Sequence, residues 1–168
     1  MQINSKEANF SRTWAEYKLG FGDANSTEFW LGLEKVHQMT KSRSYSLEIL
    51  LKRDDGTRTT VYYNTFAVGD EHSKYNLSIG DYDPRGSGLP ADFSNYNGYR
   101  FTTYDQDNDD YGTNCAINYA NTGWWYNKCF SWIHLNYWRT SEYIAYYQSS
   151  ANGTAQETQM TLISKFTN

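Results

Sequence analysis

The chain has 168 residues, a formal charge of −4, and 39% hydrophobic and 18% aromatic residues, including 16 Tyr and 6 Trp. That length suits one domain, and the charge supplies no concentrated basic surface of the kind nucleic-acid binding needs. No apolar run approaches the roughly 18 residues that span a bilayer, and Met1-Gln2-Ile3-Asn4 leads straight into polar sequence with no secretory leader, as in a mature or trimmed chain.

The first half carries regular periods. Phe10, Trp14 and Tyr17 share one helical face, which predicts a helix capped by Asn9 and ended by Gly20-Phe21-Gly22. Asn25 with Glu28 resembles a capping box and predicts a second helix that carries Phe29, Leu33, Val36 and His37. The period then changes to two. Tyr45, Leu47, Ile49 and Leu51 alternate with Ser46, Glu48 and Lys52, Asp55-Gly56 signals a hairpin, and further strands are predicted over 58–66 and 75–82. These three strands predict an antiparallel sheet with helices on one face, an α+β subdomain over 1–82. From Asp83 onward the chain is rich in Gly, Asn, Asp, Ser and Tyr without sustained period, and 83–168 reads as an ordered, loop-rich functional subdomain.

Chemistry concentrates in that second part. Cys115 and Cys129 enclose a short polar and aromatic loop. Their spacing suits a disulfide, and two reduced core thiols are the other reading; no matching His or Cys pair completes a zinc site. Glycosylation sequons begin at Asn9, Asn25, Asn76 and Asn152, and with the cysteine pair they favour the secretory pathway. Asp105, Asp107, Asp109 and Asp110 crowd one stretch. Carboxylates at alternating positions suit calcium, a hard cation that takes six to eight oxygens; a solvated acidic turn is the alternative. The EF-hand pattern fails, because Asp110 stands where Gly is required and Ala116 where Glu is required.

Catalytic constellations are not evident. His37 and His72 read as structural and solvent-facing, no Ser or Cys nucleophile has a base near it in sequence, and Gly86 and Gly88 lack the frame of a phosphate loop. The Trp124-Trp125-Tyr126 run fits core packing better than sugar stacking. The chain is therefore expected not to be an enzyme.

Several stretches together resemble the fibrinogen C-terminal domain family: NFSRTWAEYKLGFGD at 9–23, TEFWLGLEKVHQMT at 27–40, FTTYDQDND at 101–109, NCAINYANTGWWYNKC at 114–129 and HLN at 134–136. The order and spacing match from about residue 2 to residue 136, and the flavour is similar to invertebrate members. The resemblance implies one fibrinogen-like domain over 1–168, with a central mixed subdomain and a carboxy-terminal recognition subdomain, and an additional disulfide-bearing amino-terminal subdomain in family members. It implies Ca²⁺ held by the carboxylates of Asp107 and Asp109 and the carbonyls of Tyr111 and Thr113, with Asp105 and Asp110 outside that set. It also implies a Cys115–Cys129 disulfide, a cis bond between Lys128 and Cys129, and a ligand pocket at Tyr119, Lys128, Cys129 and Phe130. Phe130 replaces the usual His, and Trp132-Ile133-His134-Leu135-Asn136-Tyr137 departs from the usual Ser-Asn-Leu-Asn-Gly. The expected function is secreted, lectin-like recognition of microbial or cell-surface carbohydrate in innate immunity. Binding of a receptor protein as a signalling or matrix ligand is the alternative, with homo-oligomers a source of avidity in either case.

Overall fold

Alternation of large apolar and polar residues fixes the centre of the molecule. We describe residues 1–5, 8–83, 93–129, 134–137, 149–150 and 153–165 of a computed structural model. Strand β4 (Tyr45–Arg53) buries Leu47, Ile49 and Leu51. It turns through Gly56, at φ 82, into β5 (Arg58–Val68), which buries Val61, Tyr63, Phe66 and Val68. The positive φ is a conformation that glycine adopts without steric cost. Strand β6 (Leu77–Asp83) pairs with β5. It starts later than the pattern predicts, because Lys74 and Tyr75 stand at φ 60 and 50, outside the extended region.

The sheet is larger than the three strands expected. Strands β1 (Gln2–Ser5), β2 (Phe21–Gly22), β3 (Glu28–Trp30), β7 (Ser149–Ser150) and β8 (Gly153–Ser164) complete an 8-stranded sheet in the order β2-β3-β1-β8-β4-β5-β6, with β7 paired to β8. Every pairing is antiparallel. Strand β8 comes from the stretch without period, yet it lies between β1 and β4. Met160 pairs with Gln2 on one side and Ile49 on the other and is fully buried. Thr158 is also fully buried, so the inward face of this strand is partly polar and hydrophobic alternation does not reveal it.

Both helices begin later than expected. Helix α1 (Trp14–Leu19) is capped by Thr13, whose hydroxyl accepts the Glu16 N–H while the Glu16 carboxylate takes the Thr13 N–H, a full capping box. Asn9 is not the cap; its Oδ1 accepts the Ser11 N–H. Helix α2 (Leu33–Ser42) starts after Gly32, and Asn25 does not cap it. Glu28 sits instead in β3, where it accepts the Asn9 N–H and pairs with Arg12 at 2.7 Å. A β carbon at Gly32 would come within 2.6 Å of the Leu19 carbonyl oxygen, and φ there is 105, so close approach of α1 and α2 requires glycine. His37 packs structurally on α2, with Nδ1 2.9 Å from the Val68 carbonyl.

Helices and sheet close over an aromatic core. Phe101 stands at its middle, with ring centroids of Tyr17, Trp30 and Trp125 at 5.1, 5.9 and 5.1 Å. Trp124, Trp125 and Tyr126 are buried, in agreement with the packing role expected of them. The Trp125 indole donates to the Tyr75 carbonyl at 2.8 Å and the Trp30 indole to the Tyr17 carbonyl at 2.9 Å, so these two buried indoles have partners, whereas Trp124 Nε1 has none among the described residues. Among the described residues no helix is long and apolar enough to cross a membrane.

Candidate ligand-recognition site

The acidic loop hangs between two anchors, the Phe101 core and the Cys115 disulfide. Asn108 fixes its start, donating from Nδ2 to the Phe101 carbonyl at 2.8 Å and from N to Thr102 Oγ1 at 3.1 Å. Asn114 fixes its end, donating to the Thr103 carbonyl at 2.9 Å and capping helix α3 (Cys115–Asn118) through the Ala116 N–H. These two asparagines hold the loop in shape. The sequence reading passed over them, although an Asn before a short helix is a recognised capping signal.

The carboxylates divide into roles. Asp105 Oδ1 accepts the Trp14 N–H at 2.9 Å and the Thr103 hydroxyl at 2.7 Å, so it tethers the start of α1 to the loop and is not merely solvent-facing. Asp110 is exposed and pairs with Arg100 at 2.6 Å. Asp107 and Asp109 stand together, with the Asp109 N–H donating to Asp107 Oδ1 at 3.2 Å. Asp109 accepts the Tyr111 N–H on one oxygen and the Cys115 N–H on the other, both at 2.9 Å. Burial pushes the Asp109 carboxyl above its ordinary value, those two N–H groups pull it back, and the Asp107 charge pushes it up again. Two adjacent carboxylates in that state are suited to a positive charge.

Tyr111 and Thr113 complete the loop on its exposed side. Among the described residues no backbone N–H donates to either carbonyl. The oxygens this stretch offers are carboxylate and carbonyl, the hard donors calcium prefers. No group of three or more His, Cys, Asp or Glu side chains is assembled among the described residues, and a pair of carboxylates supplemented by carbonyls does not need one.

The disulfide Cys115–Cys129 ties the loop to the expected ligand surface. Cys129 Sγ lies 3.9 Å from the Thr113 carbonyl oxygen. Tyr119 donates its hydroxyl to the Cys129 carbonyl, so Tyr119, Lys128 and Cys129 do come together, with the Lys128 side chain exposed. The cis bond expected before Cys129 is absent: no cis peptide occurs among the described residues, and Cys129 takes φ 57 instead. Phe130 and Asn152 lie outside the described residues.

Behind this surface the rings interlock. Tyr119 stacks on Tyr126 at 5.5 Å and meets Tyr137 edge-on at 5.5 Å, while Trp124 stacks on His134 at 5.1 Å. Tyr126 gives its hydroxyl proton to the Thr122 carbonyl, and the Thr122 hydroxyl gives its proton to the Tyr119 carbonyl. Both oxygens also lie against His134 Nε2, Tyr126 Oη at 2.5 Å and Thr122 Oγ1 at 3.3 Å. His134 Nδ1 is buried with no hydrogen-bond partner among the described residues. Full burial holds the His134 pKa down to about 3, so the ring is neutral.

The sheet grips the same region from below. The Leu135 carbonyl accepts Gln2 Nε2 at 3.1 Å, Asn4 Nδ2 at 2.6 Å and the Thr158 hydroxyl at 3.3 Å. Gln2 Nε2 also reaches Asn136 Oδ1 at 2.7 Å, and Asn136 Nδ2 donates to the Gly123 carbonyl at 2.8 Å. Strands β1 and β8 thereby position the segment that carries His134 and Tyr137.

A sheet-and-helix body that presents a disulfide-braced acidic loop beside an aromatic surface defines a fibrinogen-like domain, a class of non-enzymatic binding module. The family model for the C-terminal globular domain of fibrinogen beta and gamma chains matches residues 2–159, and the chain belongs to that family. It is 43% identical over 124 residues to fibrinogen-like protein A of Apostichopus parvimensis, a match covering 72% of this chain and 42% of that one. It is 43% identical over 122 residues to tenascin-R of Gallus gallus, covering 72% of this chain and 8% of the relative. The chain thus spans less than half the length of these curated relatives. Among solved structures, the fibrinogen-like globe domain of human ANGPTL2 superposes with a TM-score of 0.80 at 31% identity, covering 96% of this chain and 77% of that one. A lamprey fibrin D-dimer complexed with the peptide Gly-His-Arg-Pro-amide superposes with a TM-score of 0.79 at 29% identity, covering 96% and 59%.

Proposed function

We propose that this chain is an extracellular recognition module whose ligand surface is braced by calcium at Asp107 and Asp109, with the carbonyls of Tyr111 and Thr113. Carbohydrate on microbial or cell surfaces is the ligand class, in a lectin-like role in innate immunity. One observation carries the reading: Asp109 holds the N–H groups of Tyr111 and Cys115 beside a second carboxylate, directly ahead of the disulfide that leads to Tyr119, Lys128 and Cys129. A cation there would neutralise the pair and stiffen the loop, and rigid surfaces lose less entropy on binding.

The second reading is a receptor or peptide ligand, and two observations favour it. The rings around Tyr119 are packed against one another, and a pocket filled by its own side chains suits a broad partner better than a small buried group. The lamprey fibrin neighbour is complexed with a peptide. A glycan array and a cell-surface receptor screen, each run with calcium and with chelator, separate the two. Calcium-dependent glycan signals that vanish in Tyr119→Ala support the carbohydrate reading. A receptor hit with a silent array supports the second, and calcium-independent binding of both kinds contradicts the proposal.

A further inference from the structure

Where the fold places each sequon decides which can carry sugar. N-linked attachment puts a bulky, hydrophilic group on asparagine Nδ2, so the residue must stand in an exposed turn. Asn25 does. Residues 22–27 form the tip of the β2–β3 hairpin and are exposed throughout. Asp23 organises the tip: its Oδ1 accepts the Asn25 N–H at 2.8 Å and Asn25 Nδ2 at 3.3 Å, and its carbonyl accepts the Ser26 N–H at 2.9 Å. A glycosylated amide keeps one N–H, so the Nδ2 bond to Asp23 survives attachment. Thr27, the third sequon residue, is exposed as well.

Asn76 and Asn9 are placed differently, and Asn152 lies outside the described residues. Asn76 is half-buried, and its Oδ1 lies so close over Gly69 that a β carbon there would sit 1.9 Å from it. The next residue, Leu77, is fully buried at the start of β6. Asn9 is exposed, but its Oδ1 is held by the Ser11 N–H, and Ser11 bridges to Thr122. Asn9 also borders a cleft of about 170 Å³ that runs to Thr122 and Tyr137, so a glycan there would stand in its mouth.

We propose that Asn25 carries an N-linked glycan, displayed at the hairpin tip beside β2, the edge strand of the sheet. A hydrophilic branch at that position adds to the protection that a two-residue edge strand already gives the sheet against strand addition. The proposal rests on the extracellular reading above.

The test is peptide mapping of the chain secreted from eukaryotic cells, after an amidase that converts each glycosylated Asn to Asp. The expected result is conversion at Asn25, lost in Thr27→Ala, which keeps the bond from the Ser5 N–H to the Thr27 carbonyl at 3.1 Å, and retained in Asn76→Gln. Recovery of Asn25 as unmodified asparagine overturns the proposal. The same digest reports the Cys115–Cys129 bond: an intact disulfide with bare Asn25 refutes the glycan alone, and free thiols with bare Asn25 refute the extracellular reading with it.

Discussion

Asp109 Oδ2 accepts the N–H of Cys115 at 2.9 Å, so the acidic loop and the disulfide share one carboxylate. The same side chain is pushed toward protonation by burial and by Asp107. Asp109 is therefore both a brace for the loop and a source of repulsion within it. Asp107 supplies repulsion and accepts the Asp109 N–H, but it holds neither of the backbone donors that Asp109 holds. Asp109→Ala is expected to lower stability by about 1–2 kcal/mol even in chelator, because two backbone donors lose their acceptor at a partly exposed site. Asp107→Asn is expected to leave stability in chelator unchanged or slightly raised. Urea denaturation of both variants in chelator checks this, and equal losses would show that the two carboxylates have the same structural role.

His134 predicts an acid limit. An unfolded imidazole takes up its proton near 6.5, whereas the buried ring does so only near 3. Between those values the unfolded chain binds more protons, so stability falls as pH drops below about 6.5, by up to about 1.4 kcal/mol per pH unit from this residue. Denaturation free energies measured from pH 7 to pH 5 should show the slope in the native sequence and a shallower one in His134→Gln. Parallel profiles would mean that His134 does not remain neutral in the fold.

Asn136 predicts a coupling between sheet and recognition loops. Its side chain joins Gln2 Nε2 to the Gly123 carbonyl, and all three residues are buried. Asn136→Ala leaves the buried Gly123 carbonyl without this donor and Gln2 Nε2 with only the Leu135 carbonyl, and is expected to cost about 2–3 kcal/mol. Hydrogen exchange should also quicken at Thr122 to Trp124, in the neighbouring loop, more than at β4. Uniform acceleration across the chain would indicate simple destabilisation without local coupling.

Tyr119 predicts a narrower effect. Tyr119→Phe keeps the stack on Tyr126 and removes the hydroxyl that donates to the Cys129 carbonyl. The expected stability loss is about 1 kcal/mol, with faster amide exchange at Lys128 and Cys129 and no change at Asp109. Unchanged exchange at Lys128 and Cys129 would show that this hydroxyl does not position the ligand surface.

The sequence made some of this legible and hid the rest for physical reasons. Strands β4 and β5 were readable because apolar residues alternate over most of each, Leu47, Ile49 and Leu51 in β4 and Val61 and Tyr63, then Phe66 and Val68, in β5. The segment 25–30 was misread because Asn25 and Glu28 mimic a capping box, whereas Glu28 is committed to Arg12 and the Asn9 N–H. Strand β8 was hidden because Thr158 is buried and satisfied by the Leu135 carbonyl, so polarity there does not mean exposure. At the site, Asp107 and Asp109 were singled out by the family resemblance alone, and the structure joins them through the Asp109 N–H and joins Tyr119 to the Cys129 carbonyl. The tether from Asp105 to Trp14 and the Leu135 latch were not legible, since each joins residues far apart in sequence through backbone groups that any residue type offers.

The central claim is that Asp107 and Asp109 hold calcium. Calorimetric titration of calcium into the metal-stripped chain tests it most directly, with Asp107→Asn and Asp110→Asn titrated alongside. The account predicts saturable binding to the native chain, affinity reduced by about tenfold or more in Asp107→Asn through loss of a charged ligand, and near-native affinity in Asp110→Asn, whose carboxylate faces Arg100. No binding to the native chain, or equal binding to native and Asp107→Asn, would contradict it.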